Sequence, residues 1–299
     1  MKSIIYQFSE KMQEKSKDAF DGDFIEIPDD VEAVFGEQFT AQAGNPLTID
    51  IFRKKNLIGD GRKLPVILVV HGGGLFMGDS RMEAGICIQL AELGYLVFSL
   101  SYRLLTEATA CEEIADVCSG FIYAESVLDR FGGDRDRVYL IAESAGAFLS
   151  LYTIALHASE KIRQKLGCKK SGLKVKKLVC FSGMFYTKKM DLIGLLYPRQ
   201  IFGEKLLDRE FMKLMNPENP EVLDTIPPLL LVSSDKDFLK KHTLSFHEAC
   251  EKANKACRLW FYEGNDELTH AFASLRPFLP KSREVIEGVA YLFTETATF

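Results

Sequence analysis

The segment Ala142-Glu143-Ser144-Ala145-Gly146 has the pattern of a nucleophilic serine. It follows a predicted strand and precedes a predicted helix, which is the context of a nucleophile elbow. The turn is so tight that the residues two before and two after the serine must be small, and alanine and glycine stand there. The helix N-terminus behind the serine favours negative charge nearby. The pattern therefore indicates acyl transfer through Ser144, the alternative being a serine that caps the helix.

A second segment, His71-Gly72-Gly73-Gly74, directly follows the apolar run at residues 65–70. Three consecutive glycines cost backbone entropy, so we expect a function that needs close approach of the backbone. In lipases and esterases, such a loop supplies N–H donors for a developing oxyanion. We therefore predict an oxyanion hole formed by the N–H groups of Gly73, Gly74 and Ala145. The alternatives are a plain glycine-rich turn or a phosphate-binding loop, but the G-x-G-x-x-G spacing and the Walker lysine are missing.

The acid of a catalytic triad is expected after the serine in the chain, on a loop at the carboxyl end of a strand. A strand predicted at residues 229–232 is followed by Ser233-Ser234-Asp235-Lys236-Asp237. Asp235 and Asp237 both occupy a suitable position, and the pattern alone does not separate them.

The base of the triad is expected on the loop after the last strand, which is predicted at residues 257–262. His270 lies on that loop. The chain has five histidines, and His71 belongs to the glycine loop. The other three are predicted at the end of a buried helix or on an exposed polar helix: His157, His242 and His247. Ser144, His270 and one aspartate therefore form the predicted triad.

The elements that must position these groups alternate between strand and helix. Strands are predicted at residues 34–40, 47–52, 65–70, 95–100, 138–142, 178–181, 229–232 and 257–262. Because crossovers between parallel strands are right-handed, the order predicts an α/β fold with a mostly parallel sheet covered by helices on both faces. Residues 183–226 show no strand pattern and are predicted to be helical. With an amphipathic helix at the N-terminus they are expected to form a cap, at about residues 1–30 and 183–226, on a single domain spanning residues 1–299.

Composition limits the class of protein. The apolar fraction of 47% and the charged fraction of 26% are typical of a globular chain, and the net charge of −5 disfavours non-specific nucleic-acid binding. Seven cysteines without a C-x-x-C pair indicate reduced thiols in a reducing compartment. We see no secretory leader and no apolar run that approaches the length of a membrane span. We therefore expect a cytoplasmic protein without membrane insertion, metal or organic cofactor.

Taken together, these motifs resemble the hormone-sensitive-lipase-like family of α/β hydrolases, the bacterial carboxylesterases of the fold-3 type. Tyr102-Arg103-Leu104 is similar to the family's Y-R-L, and Phe131-Gly132-Gly133-Asp134 to its F-G-G-D. Asp237-Phe238-Leu239 resembles its D-P-L, and His270-Ala271-Phe272 its H-G-F. The aspartate of D-P-L is the family's catalytic acid, so the resemblance implies an α/β-hydrolase fold in which Asp237 fills that role.

The chain departs from this family at four places. Ala142 replaces the first glycine of the elbow, and Phe238 replaces the proline of the acid motif. The segment after Tyr102-Arg103-Leu104 lacks the family's prolines, and the loop before His270 is longer than usual. None of these departures removes a catalytic group.

The resemblance implies a carboxylesterase that hydrolyses small esters with short acyl chains. Seven residues are predicted to contact the substrate: Leu75, Phe76, Glu143, Phe185, Leu192, Leu196 and Phe202. The alternative for Glu143 is a structural hydrogen bond beneath the turn, and for the apolar six it is ordinary packing. An amidase, peptidase or thioesterase of the same fold would use the same triad. A non-catalytic receptor on this scaffold is disfavoured because Ser144 and His270 are both present, and a homodimer through the final strand or helix is compatible with the sequence.

Overall fold

The computed structural model describes residues 25–59, 61–187 and 198–295. The predicted N-terminal helix lies outside the described residues, and so do Leu192 and Leu196 of the predicted substrate pocket. Within the described ranges, no helix combines the length and the apolar character needed to cross a bilayer.

The described residues contain an eight-stranded sheet with the order β1-β2-β4-β3-β5-β6-β7-β8. The strands are β1 Val31–Thr40, β2 Pro46–Lys54, β3 Leu64–Val70, β4 Leu96–Leu100, β5 Gly133–Glu143, β6 Val175–Phe181, β7 Leu229–Ser234 and β8 Cys257–Tyr262. Pairs β1–β2 and β2–β4 are antiparallel, and all pairs among β3 to β8 are parallel. The predicted α/β class with a mostly parallel sheet is confirmed, and each predicted strand corresponds to an observed one.

Helices cover both faces of the sheet. They are α1 Ala84–Glu92, α2 Ala110–Phe131, α3 Ala145–Ala158, α4 Glu160–Leu166, α5 Pro198–Phe202, α6 Arg209–Leu214, α7 Pro220–Leu223, α8 Lys240–Lys252, α9 Phe272–Leu275 and α10 Pro280–Thr294. Buried side chains of α2, α3 and α8 belong to one hydrophobic core, and those of α1 and α10 belong to the other. The short helix α9 has no sequence pattern that predicts it.

The continuous apolar pattern of β3 follows from this two-sided cover. Leu68 and Val70 join the core on one face of the sheet, whereas Ile67 and Val69 join the core on the other. All four side chains are completely buried. Since successive side chains of a strand point to opposite faces, a strand with helices on both sides must be apolar at every position.

The region expected to form part of a cap is mostly helical over residues 198–226, whereas residues 183–187 form no helix. Residues 198–226 contain α5, α6 and α7 with a 3₁₀ helix at Gly203–Leu207. Phe202 and Phe211 are buried and pack edge to face, with ring centroids 6.1 Å apart. The grouping of residues 1–30 and 183–226 into one cap, and of the whole chain into one domain, stays a prediction.

Candidate active site

Ser144 lies at the turn between β5 and α3, with φ +46° and ψ −114°. A positive φ is unfavourable for a residue with a side chain and has to be held by surrounding structure. The Ser144 N–H donates to the carbonyl oxygen of Phe181 at 2.9 Å, and the Ser144 carbonyl accepts from the N–H of Met184 at 2.8 Å. These bonds tie the turn to the end of β6, and the result is the strained elbow that the sequence pattern predicts.

Gly146, two residues after the serine, is required for a steric reason. A Cβ atom at Gly146 would lie 2.2 Å from the carbonyl oxygen of Val70 and 2.5 Å from that of His71. Both oxygens belong to the backbone, which cannot rotate away as a side chain would. Glycine at position 146 therefore lets the start of α3 approach the end of β3, where the glycine loop begins.

Three side chains form a continuous hydrogen-bonded chain. His270 Nε2 lies 2.9 Å from Ser144 Oγ, and His270 Nδ1 lies 2.7 Å from Asp237 Oδ1. The imidazole is partly exposed, whereas Ser144 and Asp237 are buried. In this arrangement the imidazole can accept the serine proton while the carboxylate fixes its tautomer and orientation.

Asp237, the acid implied by the family resemblance, is anchored by further donors. Ser233 Oγ donates to Asp237 Oδ2 at 2.6 Å, and the Leu239 N–H donates to Oδ1 at 2.8 Å. Burial raises the pKa of Asp237, but the hydrogen bonds from His270, Ser233 and Leu239 outweigh it and hold the pKa below its ordinary value. Asp235 lies two residues away, where its N–H donates to the carbonyl of Tyr262 at 2.9 Å, and it is not among the hydrogen-bond partners of His270.

The loop that carries His270 is fixed on both sides of the histidine. Ala271 adopts φ +51°, and its N–H donates to Ser182 Oγ at 2.8 Å. Before the histidine, Ser234 Oγ donates to the Leu268 carbonyl. The resembling motif H-G-F has glycine where this chain has Ala271, and the left-handed backbone at this position explains why glycine suits it.

The glycine loop is held from below by Tyr102, whose hydroxyl donates to the carbonyl oxygens of His71 and Gly72 at 2.9 Å each. The His71 ring stacks on Tyr102 with centroids 4.2 Å apart. Burial lowers the pKa of His71 to about 4, so this imidazole is neutral at physiological pH.

The glycines of the loop adopt backbone conformations that side chains disfavour, since Gly73 and Gly74 have φ of +91° and +64°. The loop starts next to Ser144, since a Cβ at Gly72 would come within 2.8 Å of the serine Cβ. The oxyanion-hole roles of Gly73, Gly74 and Ala145 stay predictions.

Glu143 lies against the inner side of the glycine loop, and its predicted contact with substrate stays a prediction. It is 1% exposed, and its Oε1 is 3.6 Å from His270 Nε2. Burial raises the pKa of Glu143 to about 7, although the charge of His270 and the Gly72 backbone amide both lower it. A second carboxyl, Glu83, is completely buried nearby, and burial and the charge of Glu143 raise its pKa well above the ordinary value.

Phe238 covers the outer face of the His270 imidazole. Its ring centroid lies 4.1 Å from that of His270, and the side chain is 74% exposed. This is the position at which the resembling family has proline. An exposed aromatic ring beside the proposed base gives the site a hydrophobic rim.

The residues predicted to wall an acyl pocket occupy different environments. Leu75, Phe185 and Phe202 are buried in the main hydrophobic core, and Phe185 stacks on Phe246 with centroids 4.3 Å apart. Phe76 is partly buried, and its ring lies over Gly74, where a Cβ would be 2.8 Å from it. The burial of Leu75, Phe185 and Phe202 in the core adds no support for their predicted contact with substrate. The substrate-pocket role therefore stays a prediction.

Several residues that shape the site were not found by sequence analysis. His242, expected on an exposed helix face, is instead buried, and its Nδ1 accepts from the N–H groups of Phe185 and Tyr186 at 3.2 and 3.3 Å. Three further residues were missed because they act through tertiary contacts that no local pattern encodes: Glu83, Ser182 and Ser233. Tyr102 had a local signal, since it opens the motif Tyr102-Arg103-Leu104, but its contact with the glycine loop was not predicted.

Comparison with known proteins places the chain among esterase relatives. The model of the BD-FAE family matches residues 49–247. An isoprenylcysteine alpha-carbonyl methylesterase of Arabidopsis thaliana is 24% identical over 227 residues, covering 72% of this chain and 52% of that protein. Esterase LipQ of Mycobacterium tuberculosis is 25% identical over 194 residues, covering 64% of this chain and 44% of that protein. The chain thus spans about half the length of the curated relatives it matches.

Among solved structures, esterase B from Lactobacillus rhamnosis, in a structure with a tributyrin phosphonate inhibitor, superimposes with a TM-score of 0.85. It is 18% identical, and the match covers 97% of this chain and 93% of that chain. At this identity the likeness shows the fold, which is that of an α/β hydrolase. The family model spans 199 of the 299 residues. The resemblance to fold-3 hydrolases is therefore confirmed, and the chain belongs to the BD-FAE family of α/β hydrolases.

Proposed function

We propose that this protein is a carboxylic ester hydrolase that cleaves short-chain acyl esters with Ser144 as nucleophile, His270 as base and Asp237 as acid. The observation that carries the proposal is the hydrogen-bonded chain from Asp237 Oδ1 through both ring nitrogens of His270 to Ser144 Oγ, with distances of 2.7 and 2.9 Å. The names of its relatives, a methylesterase and an esterase, agree with ester hydrolysis.

In the acylation step, Ser144 Oγ attacks the ester carbonyl carbon while its proton passes to His270 Nε2. The carbonyl oxygen becomes an oxyanion, and the backbone N–H groups of Gly73, Gly74 and Ala145 stabilise it. One such donor is typically worth roughly 10²–10³ in rate. The bond from the carbonyl carbon to the alkoxy oxygen then breaks, and the alcohol leaves with the proton from His270 Nε2.

In the deacylation step, a water molecule gives a proton to His270 Nε2 as its oxygen attacks the acyl-enzyme carbonyl. The bond to Ser144 Oγ breaks, the serine recovers its proton from the imidazolium, and the carboxylic acid departs. Asp237, whose pKa is held low by its hydrogen bonds, stays ionised and stabilises the imidazolium in both steps.

Short acyl chains are proposed from two lines of support. The family resemblance implies them, and the similar esterase B has been captured with a phosphonate analogue of tributyrin, an ester of four-carbon acids. The hydrophobic rim formed by Phe238 also suits a small apolar ester. An amidase, peptidase or thioesterase would use the same triad and forms the alternative within this fold.

We also propose that the protein acts in the cytoplasm on a small-molecule substrate, as one hydrolase domain with a helical cap. All seven cysteines are free thiols and six are buried, which suits a reducing compartment. A homodimer remains compatible with the chain.

The substrate class is tested with a panel that varies the acyl length of the ester and, at the butyryl length, the type of bond that is cleaved. Initial rates are measured for p-nitrophenyl acetate, butyrate, octanoate and palmitate, and for butyryl thioester and butyryl anilide. We expect the butyrate ester to exceed both the anilide and the palmitate in kcat/KM by at least roughly a hundredfold, about 3 kcal/mol in transition-state binding. A thioester or anilide that is hydrolysed faster than every oxygen ester would contradict the proposal.

A further inference from the structure

We propose that Glu143 is a positioning residue of the active site, whose carboxylate stabilises the positive charge that His270 acquires as Ser144 becomes a nucleophile. This inference rests on the proposed triad and goes beyond it, since the triad uses only Asp237 as an acid. Glu143 touches neither the serine oxygen nor the substrate carbonyl in the mechanism above, so it acts through His270.

The geometry puts one carboxyl group at each ring nitrogen. Asp237 Oδ1 is 2.7 Å from Nδ1, and Glu143 Oε1 is 3.6 Å from Nε2. Nε2 is the atom that takes the serine proton, and it lies 2.9 Å from Ser144 Oγ. A separation of 3.6 Å is too long for a good hydrogen bond, so Glu143 acts on the imidazolium through its charge.

Burial makes this charge effective. The Glu143 side chain is 2% exposed, and within the described residues its Oε2 has no hydrogen-bond partner. A charge in such a poorly solvated position interacts with its neighbours far more strongly than a charge at the surface. Among the described residues, the positive charge that acts on this carboxyl is the imidazolium of His270.

The glycine loop is shaped to seat this carboxyl. A Cβ atom at Gly72 would lie 2.0 Å from Glu143 Oε2 and 2.6 Å from its Cδ. The first glycine of the loop therefore leaves the space that Glu143 occupies. Placing a carboxyl there without water-facing surface is unfavourable for folding, and a role in the site accounts for its presence.

Of the carboxyl and phenol groups that meet at this position, Glu143 is the one whose charge changes near neutral pH. From the other elements it faces Glu83, Tyr102, Asp237 and His270, and the His71 ring stacks on Tyr102 behind them. Burial keeps Glu83 and Tyr102 protonated and His71 neutral, while Asp237 stays ionised. The pKa of Glu143 is raised to about 7, so its charge, and with it the help it gives His270, appears as the pH rises through neutrality.

The experiment measures the reactivity of Ser144 alone, without turnover. Wild type and Glu143→Gln are mixed with a p-nitrophenyl alkylphosphonate between about pH 5.5 and 8.5. Ser144 Oγ forms a bond to phosphorus, the bond to the aryl oxygen breaks, p-nitrophenolate is released, and the serine proton goes to His270. We expect the rate ratio of wild type to variant to be near one at the acid end and to rise to roughly tenfold or more at the alkaline end, which corresponds to 1.4 kcal/mol or more.

Glu83→Gln is the matched control, because it makes the same change at a buried carboxyl that, among the described residues, makes no hydrogen bond or ion pair with His270. The phosphonylation rate of Glu83→Gln should rise with pH as that of wild type does. Glu143→Asp should regain part of the rise that Glu143→Gln loses. A ratio of wild type to Glu143→Gln that is constant over the whole pH range would overturn the proposal, because a structural defect alone lowers the rate equally at every pH.

The outcomes also separate this inference from the proposed function. A protein that is phosphonylated but hydrolyses no ester would defeat the proposed function, and the pH-dependent ratio would still decide the role of Glu143. A wild type that is not phosphonylated at all would defeat both, because Ser144 would then not be a nucleophile.

Discussion

His270 lies between two carboxyl groups with different surroundings. Asp237 receives hydrogen bonds from Ser233, Leu239 and His270 and is held ionised. Glu143 is buried with one oxygen unpartnered among the described residues, so its ionisation is opposed. At the scale of single residues, the number of hydrogen-bond donors around each carboxyl therefore sets which one carries a permanent charge.

The choice between two neighbouring aspartates gives a sharp residue-scale prediction. Asp237→Asn should lower kcat for ester hydrolysis by roughly 10⁴-fold with little change in KM, because an amide cannot hold the histidine in the required tautomer and charge state. Asp235→Asn, two residues away, is the matched control and should stay within a few-fold of wild type. Steady-state kinetics with p-nitrophenyl butyrate decide the matter, and a larger loss in the Asp235 variant would contradict the assignment of the acid.

At the scale of elements, the strands and long helices could be predicted because they carry regular apolar patterns. The helix α3 illustrates this, since every side chain from Ala145 to Leu156 is buried and the sequence there is almost entirely apolar. The short helix α9 could not be predicted, because a segment of four residues is too brief to show a period.

Only those parts of the candidate site that belong to local sequence motifs could be predicted. The serine elbow, the glycine loop and His270 have sequence signatures that depend on neighbouring residues. The acid could not be chosen from the pattern alone, since Asp235 and Asp237 differ in hydrogen bonds that only the folded structure defines. Glu83 and Tyr102 meet the site from separate parts of the chain, so the sequence did not predict the contacts of either residue there, although Tyr102 belongs to a recognised motif.

At the scale of the whole molecule, the buried carboxyl at position 143 links folding stability to pH. The pKa of Glu143 is about 7 in the folded protein and 4.5 in its ordinary state. Between these values the folded chain keeps a proton that the unfolded chain has lost, so stability falls as the pH rises through this window and is level above it. The difference of about 2.5 pKa units corresponds to about 3 kcal/mol.

We therefore expect the stability of wild type to fall relative to that of Glu143→Gln as the pH rises. Between pH 4.5 and 8, the difference in unfolding free energy between the two proteins should shift by up to about 3 kcal/mol in favour of the variant. Urea denaturation at several pH values measures this difference. Glu263→Gln, at an exposed position, serves as the control and should follow wild type. A stability difference between wild type and Glu143→Gln that does not change with pH would show that this carboxyl is not protonated in the folded state.

The central claim is that Ser144 is the nucleophile of an ester hydrolase, and one comparison tests it most directly. Hydrolysis of p-nitrophenyl butyrate is measured with wild type and Ser144→Ala under identical conditions. We expect wild type to turn over well above the background rate and the variant to lose roughly 10⁶ in kcat, the usual consequence of removing a triad serine. Equal activity of the two proteins would contradict the claim by placing the nucleophile elsewhere, and equal inactivity would contradict it by removing ester hydrolysis.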